Sequence, residues 1–380
     1  MAEPFKNSFN PQMISRMGEH LERAAGEMKF DRVGFVEFCL EGIEQRELKQ
    51  RSNRIVDGLQ KFLPYDFLAT AQILSSSLDP ATDTPLDAGE IVPEAKGIRG
   101  WAIMPMADYV GSFGHEYIEE SLVLLRELTS RWSAEFGIRP FLRDHPQQTL
   151  DILDSWVRDK NEHVRRLISE GTRPRLPWGL RLHGFVRDPA PVIKLLEQLK
   201  DDKSEYVRRS VANNLNDIAK DHPALVADIA RRWLKGASKE RKRLVRHALR
   251  SLIKQGDAGA LAALGYNKAK VLVKNFEIVT PVVMLGAFLE FELYMVSNSS
   301  SDQPLIIDYV VHHQKANGKT SPKVFKWKGL LLKSGQSIRA PKRHGIKPIT
   351  TRKYYRGKHR VEILVNGTIV CGHDFELQLA

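Results

Sequence analysis

Trp156-Val-Arg-Asp-Lys-Asn-Glu-His-Val-Arg-Arg166 aligns without a gap to Leu199-Lys-Asp-Asp-Lys-Ser-Glu-Tyr-Val-Arg-Arg209, 43 positions further on. A weaker third copy places Val245-Arg246-His247 on Val207-Arg208-Arg209 after 38 more. Self-similarity at about 40 residues is the period of HEAT and armadillo repeats. In those folds, helix pairs that cannot bury an apolar face alone stack into a curved solenoid with a concave surface.

Outward from this repeat, residues 30 to 270 carry apolar side chains at helical spacing, as in Phe35, Phe38, Cys39, Gly42 and Ile43, or Leu122, Leu125, Leu128, Thr129 and Trp132. Pro64, Pro140, Pro146, Pro174, Pro177, Pro189 and Pro223 punctuate the pattern, which divides it into helices of about 10 to 20 residues. Between Pro80 and Gly114 the pattern fails, and the density of Pro and Gly reads as a long loop in which Trp101, Met104, Met106 and Tyr109 cover the flank of the solenoid.

Near Phe276 the period changes from 3.6 to 2. Phe288 to Val296, Leu305 to His313, Val324 to Leu332 and Val361 to Leu379 read as strands. Asn366-Gly367 between two alternating runs signals a type I′ hairpin, and about 100 residues of short strands suggest an immunoglobulin-like sandwich or a small barrel. Asn366-Gly-Thr368 also matches a glycosylation acceptor, a reading the expected cytoplasmic location disfavours. The expected organisation is α+β and multidomain, with a helical-repeat domain over 1–273 and a β-domain over 274–380.

The chain has 380 residues, 42% of them hydrophobic and 27% charged, a balance that excludes a disordered chain. No apolar run reaches the roughly 18 residues of a membrane span, and the start, Met1-Ala-Glu-Pro-Phe-Lys-Asn7, has no signal-peptide pattern; a cytoplasmic protein is expected. Two cysteines, Cys39 and Cys371, rule out a disulfide framework or a cysteine zinc site. HExxH, P-loop, GxSxG and Rossmann patterns are missing, and His115, His183, His222 and His247 lack metal-ligand spacing. Neither a metal nor a cofactor is expected.

A net charge of +12 favours a polyanionic partner, because each neutralised phosphate releases counterions. From Lys323 to Arg360 there are thirteen Lys or Arg and no Asp or Glu. Within that stretch Lys342, Arg343, Arg352, Lys353, Tyr354 and Arg356 are candidate DNA contacts. In the helical part the repeated Val-Arg-Arg puts Arg165, Arg208 and Arg246 at equivalent places, with Arg166 and Arg209 beside them. A guanidinium ladder along a groove suits a phosphate backbone; the alternative is an Asp–Arg ladder that ties repeats together through Asp159 and Asp202. Arg139, Arg173 and Arg175 complete the DNA-binding set.

Three carboxylates break a local rule. Glu135 precedes Gly137-Ile-Arg-Pro140, Glu170 precedes Gly171-Thr-Arg-Pro174, and Asp217 stands one turn before Asp221-His-Pro223. Each is expected near a helix C-terminus, where the dipole disfavours an anion by about 0.3–1 kcal/mol. Such violations mark functional sites, and helices ending on one edge of a solenoid would gather the three into one cleft. Trp178, stiffened by Pro174 and Pro177 and flanked by Arg173 and Arg175, suits stacking on a base or contact with a cationic base.

These residues resemble a known pattern. Cys39 to Ser52, Ala134-Glu-Phe-Gly-Ile-Arg-Pro-Phe141, His163 to Gly171, Arg173-Pro-Arg-Leu-Pro-Trp178 and Val211-Ala-Asn-Asn-Leu-Asn-Asp217 resemble the AlkC group of bacterial DNA alkylation-repair glycosylases, relatives of AlkD. The resemblance spans nearly the whole chain. It implies a HEAT-like α-solenoid followed by an Ig-like β-sandwich, and metal-free hydrolysis of the N-glycosidic bond of cationic bases such as 3-methyladenine and 3-methylcytosine, without full base flipping. Its site positions fall on Glu135, Glu170, Asp217 and Trp178, with Asp217 or Glu170 favoured for the water. A monofunctional, monomeric enzyme on alkylated double-stranded DNA is expected. Gly137 departs from the group's pattern, where a larger residue stands. A HEAT-type adaptor for an acidic protein, or an RNA-binding protein, are the competing readings from the residues alone.

Overall fold

The computed structural model describes residues 4–80, 96–350 and 352–379. Among the described residues, helices between Pro11 and Ala263 precede eight strands between Val271 and Gln378. The chain forms two compact units, Met1–Asp221 and His222–Ala380. Among the described residues no helix is long and apolar enough to cross a membrane.

In the first unit the repeat is visible as two helices, Glu162–Gly171 and Glu205–Ile218, whose first residues are 43 positions apart (205 − 162). The Asn161 side chain caps the first by accepting from the His163 amide at 2.8 Å. Val164, Leu167 and Ile168 of one helix and Val207, Val211 and Leu215 of the other are all buried, so each helix supplies the apolar face that the other needs. Arg165 and Arg208 each stand four residues after their helix's N-cap, Asn161 and Ser204. The third copy fails this test. The helix Lys239–Ala248 is capped by Ser238, which puts Arg246 eight residues in, so Arg246 is not the equivalent of Arg165 and Arg208. Prolines mark starts more than ends: Pro146 and Pro223 open their helices, and Pro140 is the second residue of Arg139–Asp144, positions where the missing amide costs nothing.

The expected loop between Pro80 and Gly114 is corrected over its described part; residues 81–95 lie outside the described residues. Trp101 is in a 3-10 turn, Gly100–Ala102, and Met104, Met106 and Tyr109 are in an α-helix, Ile103–Phe113, all three buried. Eight of that helix's eleven residues are buried, so it is apolar on nearly every side and shows no amphipathic stripe for periodicity to find. Gly111 and Gly137 let two backbones meet: a Cβ on Gly137 would lie 2.2 Å from the Ala107 carbonyl, and one on Gly111 2.5 Å from that of Gly137.

In the second unit β1 (Val271–Ile278), β3 (Phe288–Ser297) and β6 (Ser337–Gly345) form a three-stranded sheet in the order β1-β3-β6. β2 (Val282–Met284), β8 (Thr368–Gln378), β7 (Gly357–Val365), β4 (Gln303–Gln314) and β5 (Thr320–Leu332) form a second, in that order. Alternate residues, including Leu289, Phe291, Leu293 and Met295 of β3 with Leu305, Ile307, Tyr309 and Val311 of β4, fill one core from both sheets. The region is thus a sandwich, not a closed barrel. Asn366 and Gly367 take φ of 46° and 77° between β7 and β8, the positive pair a type I′ turn needs. Buried Asn366 donates from Nδ2 to the carbonyls of Asn267 at 2.7 Å and Pro304 at 3.1 Å, so its amide is committed to the fold.

Candidate active site

Glu170 is the penultimate residue of its helix and is buried. Its Oε1 accepts from Arg173 Nη1 at 2.5 Å, its Oε2 accepts from Ser210 Oγ at 2.6 Å, and Arg166 Nη2 is 3.7 Å away. Burial pushes the carboxyl's pKa upward, but Arg166, Arg173 and Ser210 together outweigh it and hold the group below the usual glutamate range. A buried anion at a helix C-terminus is therefore stable only with its cations in place.

Glu135 lies in the turn between the helices Ile118–Thr129 and Arg139–Asp144, past the helix end where it was expected. Its Oε2 accepts from Arg166 Nη1 at 2.8 Å and from Ser133 Oγ; among the described residues Oε1 has no hydrogen-bond partner. Asp217 is also a penultimate helical residue and buried, its Oδ2 accepting from Arg173 Nε at 2.8 Å and its Oδ1 from Lys220 Nζ at 2.8 Å. The result is an alternating chain, Glu135, Arg166, Glu170, Arg173, Asp217, in which each arginine holds two carboxylates.

A cleft of about 610 Å³ exposes part of that chain. Glu135, Glu170, Arg166, Arg173 and Trp178 line it, together with Trp101, Trp132, Phe136 and Tyr206. Asp217 does not, so two of the three carboxylates share the cleft and the third backs them through Arg173. Trp178 is 65% exposed and sits at φ +62°, a left-handed conformation that costs a non-glycine residue roughly 1–2 kcal/mol. Arg139 holds this strained loop. Fully buried, its guanidinium donates to the carbonyls of Gly171 at 2.6 Å, Arg173 at 2.8 Å and Leu180 at 2.7 Å.

Arg139 thus has no surface to offer DNA, and its assignment as a DNA contact is corrected. So is that of Arg165. Arg165 is buried and clasps Asp202 with two bonds of 2.6 and 3.0 Å. Arg173 is enclosed between Glu170 and Asp217, and Arg166 is spent on Glu135 and Glu170, with its guanidinium 4.8 Å from the Tyr206 ring centre. The Asp–Arg ladder is the arrangement found: Arg126 pairs with Asp159, Arg165 with Asp202 and Arg175 with Asp221. Arg208 donates to the carbonyls of Asp202 at 2.5 Å and Lys203 at 2.9 Å while remaining half-exposed. Arg209 and Arg246 are exposed.

In the sandwich the acid-free stretch does not make one cationic face. Strand pairing sets Arg343 opposite Glu290, 3.0 Å apart, and Arg352 donates to the ring of His313 at 2.5 Å with Tyr354 edge-on to that histidine. Lys342 is 5.6 Å from the Tyr309 ring centre, and Lys353 and Arg356 are exposed. Sequence reading missed Ser133, Ser210 and Tyr206, which orient the carboxylates and Arg166. Only Ser133, two residues from Glu135, left a local signal.

Carboxylates held on arginines beside aromatic rings, with one tryptophan projecting, suit a cationic ring system and the positive charge of an oxocarbenium sugar. Residues 129–254 match the DNA alkylation repair enzyme family, and residues 272–379 match the C-terminal Ig-like domain of the uncharacterised protein YhaZ. The chain belongs to the DNA alkylation repair enzyme family. Over 99% of its length it is similar to the Pseudomonas fluorescens alkylpurine DNA glycosylase AlkC, solved bound to DNA containing an abasic site analog, with 34% identity, a TM-score of 0.82 and all of that chain covered. It is also 34% identical over 374 residues, 98% of this chain and 99% of the relative, to the uncharacterized protein YhaZ of Bacillus subtilis (strain 168).

Proposed function

We propose that this protein is a DNA glycosylase that removes cationic alkylated bases, 3-methyladenine and 3-methylcytosine, from double-stranded DNA by hydrolysis, acting as a monomer in the cytoplasm. The observation that carries the reading is the pairing of Glu135 and Glu170 on Arg166 in one aromatic cleft. The likeness to an alkylpurine DNA glycosylase over the whole chain supports it.

A base that is already positive leaves readily. Water oxygen bonds to C1′, the C1′–N bond breaks, and its electron pair stays on the base and neutralises it. The remaining needs are anions beside the cationic sugar and a group that takes the water proton. Glu170, with both oxygens occupied, is the fixed anion. Glu135, whose Oε1 is open in the cleft, orients the water and accepts its proton. This differs from the expectation of Asp217 or Glu170 in that role, because Arg173 and Ser210 occupy the oxygens of Glu170 and Arg173 and Lys220 those of Asp217. Asp217 anchors Arg173, and Trp178 stacks at the lesion. Among the described residues no lysine lines the cleft, which supports a monofunctional enzyme without a Schiff base.

The test is chromatography of bases freed from methylated duplex DNA. Wild type is expected to release 3-methyladenine and 3-methylcytosine, and Glu135→Gln to slow release by about 10²-fold or more while still binding the duplex. Failure of the wild-type protein to release any base would return the reading to a non-catalytic adaptor.

A further inference from the structure

Within the second unit a cleft of about 450 Å³ is lined by the helices Lys239–Ala248 and Arg250–Gln255 on one side and by β4 and β5 on the other. Arg243 and Arg246 of the first helix, Arg250 and Lys254 of the second and Lys326 of β5 all line it. Arg243, Arg246 and Lys254 have no ion pair among the described residues. One carboxylate stands among these cations. Asp308, placed at a bulge of β4 opposite Lys326, is 9% exposed and lines the cleft. The Trp327 amide donates to its carboxyl, yet Oδ1 is buried without a partner.

Those two features select a ligand together. Guanidiniums lining one cleft match phosphate oxygens, but the oxygens of a phosphodiester only accept and leave Asp308 unsatisfied. The exocyclic amino group of cytosine or adenine is a donor of the missing kind. The volume falls within the range of about 300–1,000 Å³ usual for small-molecule sites.

We propose that this cleft binds a nucleotide, its phosphate on Arg243, Arg246 and Lys254 and an amino group of its base on Asp308 Oδ1. The source is either a free nucleotide or one residue of an unpaired DNA strand. The proposal does not rest on the glycosylase reading, since it concerns other residues and is read by binding, not by base release.

The test uses the full chain with dCMP, dTMP and a labelled single-stranded oligo-dC. Wild type should bind dCMP or oligo-dC, and the Arg243→Ala/Arg246→Ala double variant should weaken that binding by about tenfold or more and lower the salt slope for the strand by about 1 to 2. Asp308→Asn should erase a preference for dCMP over dTMP. Loss of the strand alone identifies DNA as the source, and loss of dCMP identifies the free nucleotide. Wild-type affinity for every probe in a double variant with an unchanged unfolding midpoint, or no binding by wild type, overturns the proposal.

Discussion

Arg166 reaches across 31 positions of sequence to donate to Glu135 at 2.8 Å, and the same guanidinium lies 3.7 Å from Glu170. Its charge helps hold the buried Glu170 carboxyl below the usual glutamate range. Arg166→Met therefore acts on protons as well as on stability. Glu170 keeps its carboxyl below the usual range despite burial, because of Arg166 and Arg173; without Arg166 that pKa rises, and the acid limb of the pH profile for base release should move to higher pH. An acid limb unchanged in Arg166→Met would refute the electrostatic role.

Trp178 combines a projecting ring with a left-handed backbone, and two substitutions separate them. Trp178→Gly removes both ring and strain and should raise stability relative to Trp178→Ala by about 1–2 kcal/mol. Both variants should lose base release to a similar degree. Urea unfolding alongside base release checks this; equal stabilities would mean that the strain is not felt.

The contact between Gly111 and Gly137 predicts a large effect from a single methyl group. A Cβ on Gly137 would press on the backbone carbonyl of Ala107, so Gly137→Ala should destabilise the first unit by about 1–3 kcal/mol. At Gly184 a Cβ meets nothing within 4 Å, and Gly184→Ala should be neutral or slightly stabilising. The comparison is made by urea midpoints.

The sandwich should be acid-labile. Burial, with Arg352 next, depresses His313 to about 3, and burial, with Lys342 next, depresses His344 to about 4. Both are neutral when folded and take up protons on unfolding near the ordinary value of 6.5, so their contribution is complete above that pH. It is lost progressively as pH falls from 6.5 toward 3. Melting temperature followed from pH 7.5 downward should decline over that window, and His313→Gln should flatten the decline; an identical pH dependence in that variant would exclude the histidine.

The repeat was legible because its packing residues recur with it: Val164 and Val207 are buried in matching turns of two helices that start 43 residues apart. Glu170 and Asp217 were legible for a different reason, as anions at helix ends where the dipole repels them. What stayed hidden is partnership. Arg165 and Asp202 are 37 positions apart and Arg175 and Asp221 are 46, so a count of arginines could not distinguish those available to phosphate from those already clasped. The same holds between Lys323 and Arg360, where the sequence has no acid but β3 brings Glu290 and Glu292 alongside. The helix Ile103–Phe113 was hidden by its own burial, since a segment wrapped on all sides has no polar face to reveal its period.

The grip of Arg139 on the Trp178 loop has a mechanical meaning. Three carbonyls on both flanks of the tryptophan, those of Gly171, Arg173 and Leu180, are bolted to one guanidinium in the core. A loop so anchored is stiff, and in the encounter with a duplex that we propose the compliance must come from the nucleic acid. Flexible pyrimidine–purine steps yield at lower cost than stiff A-tracts, so the ease with which a stretch of DNA gives way would be weighed at first touch, before any chemistry begins.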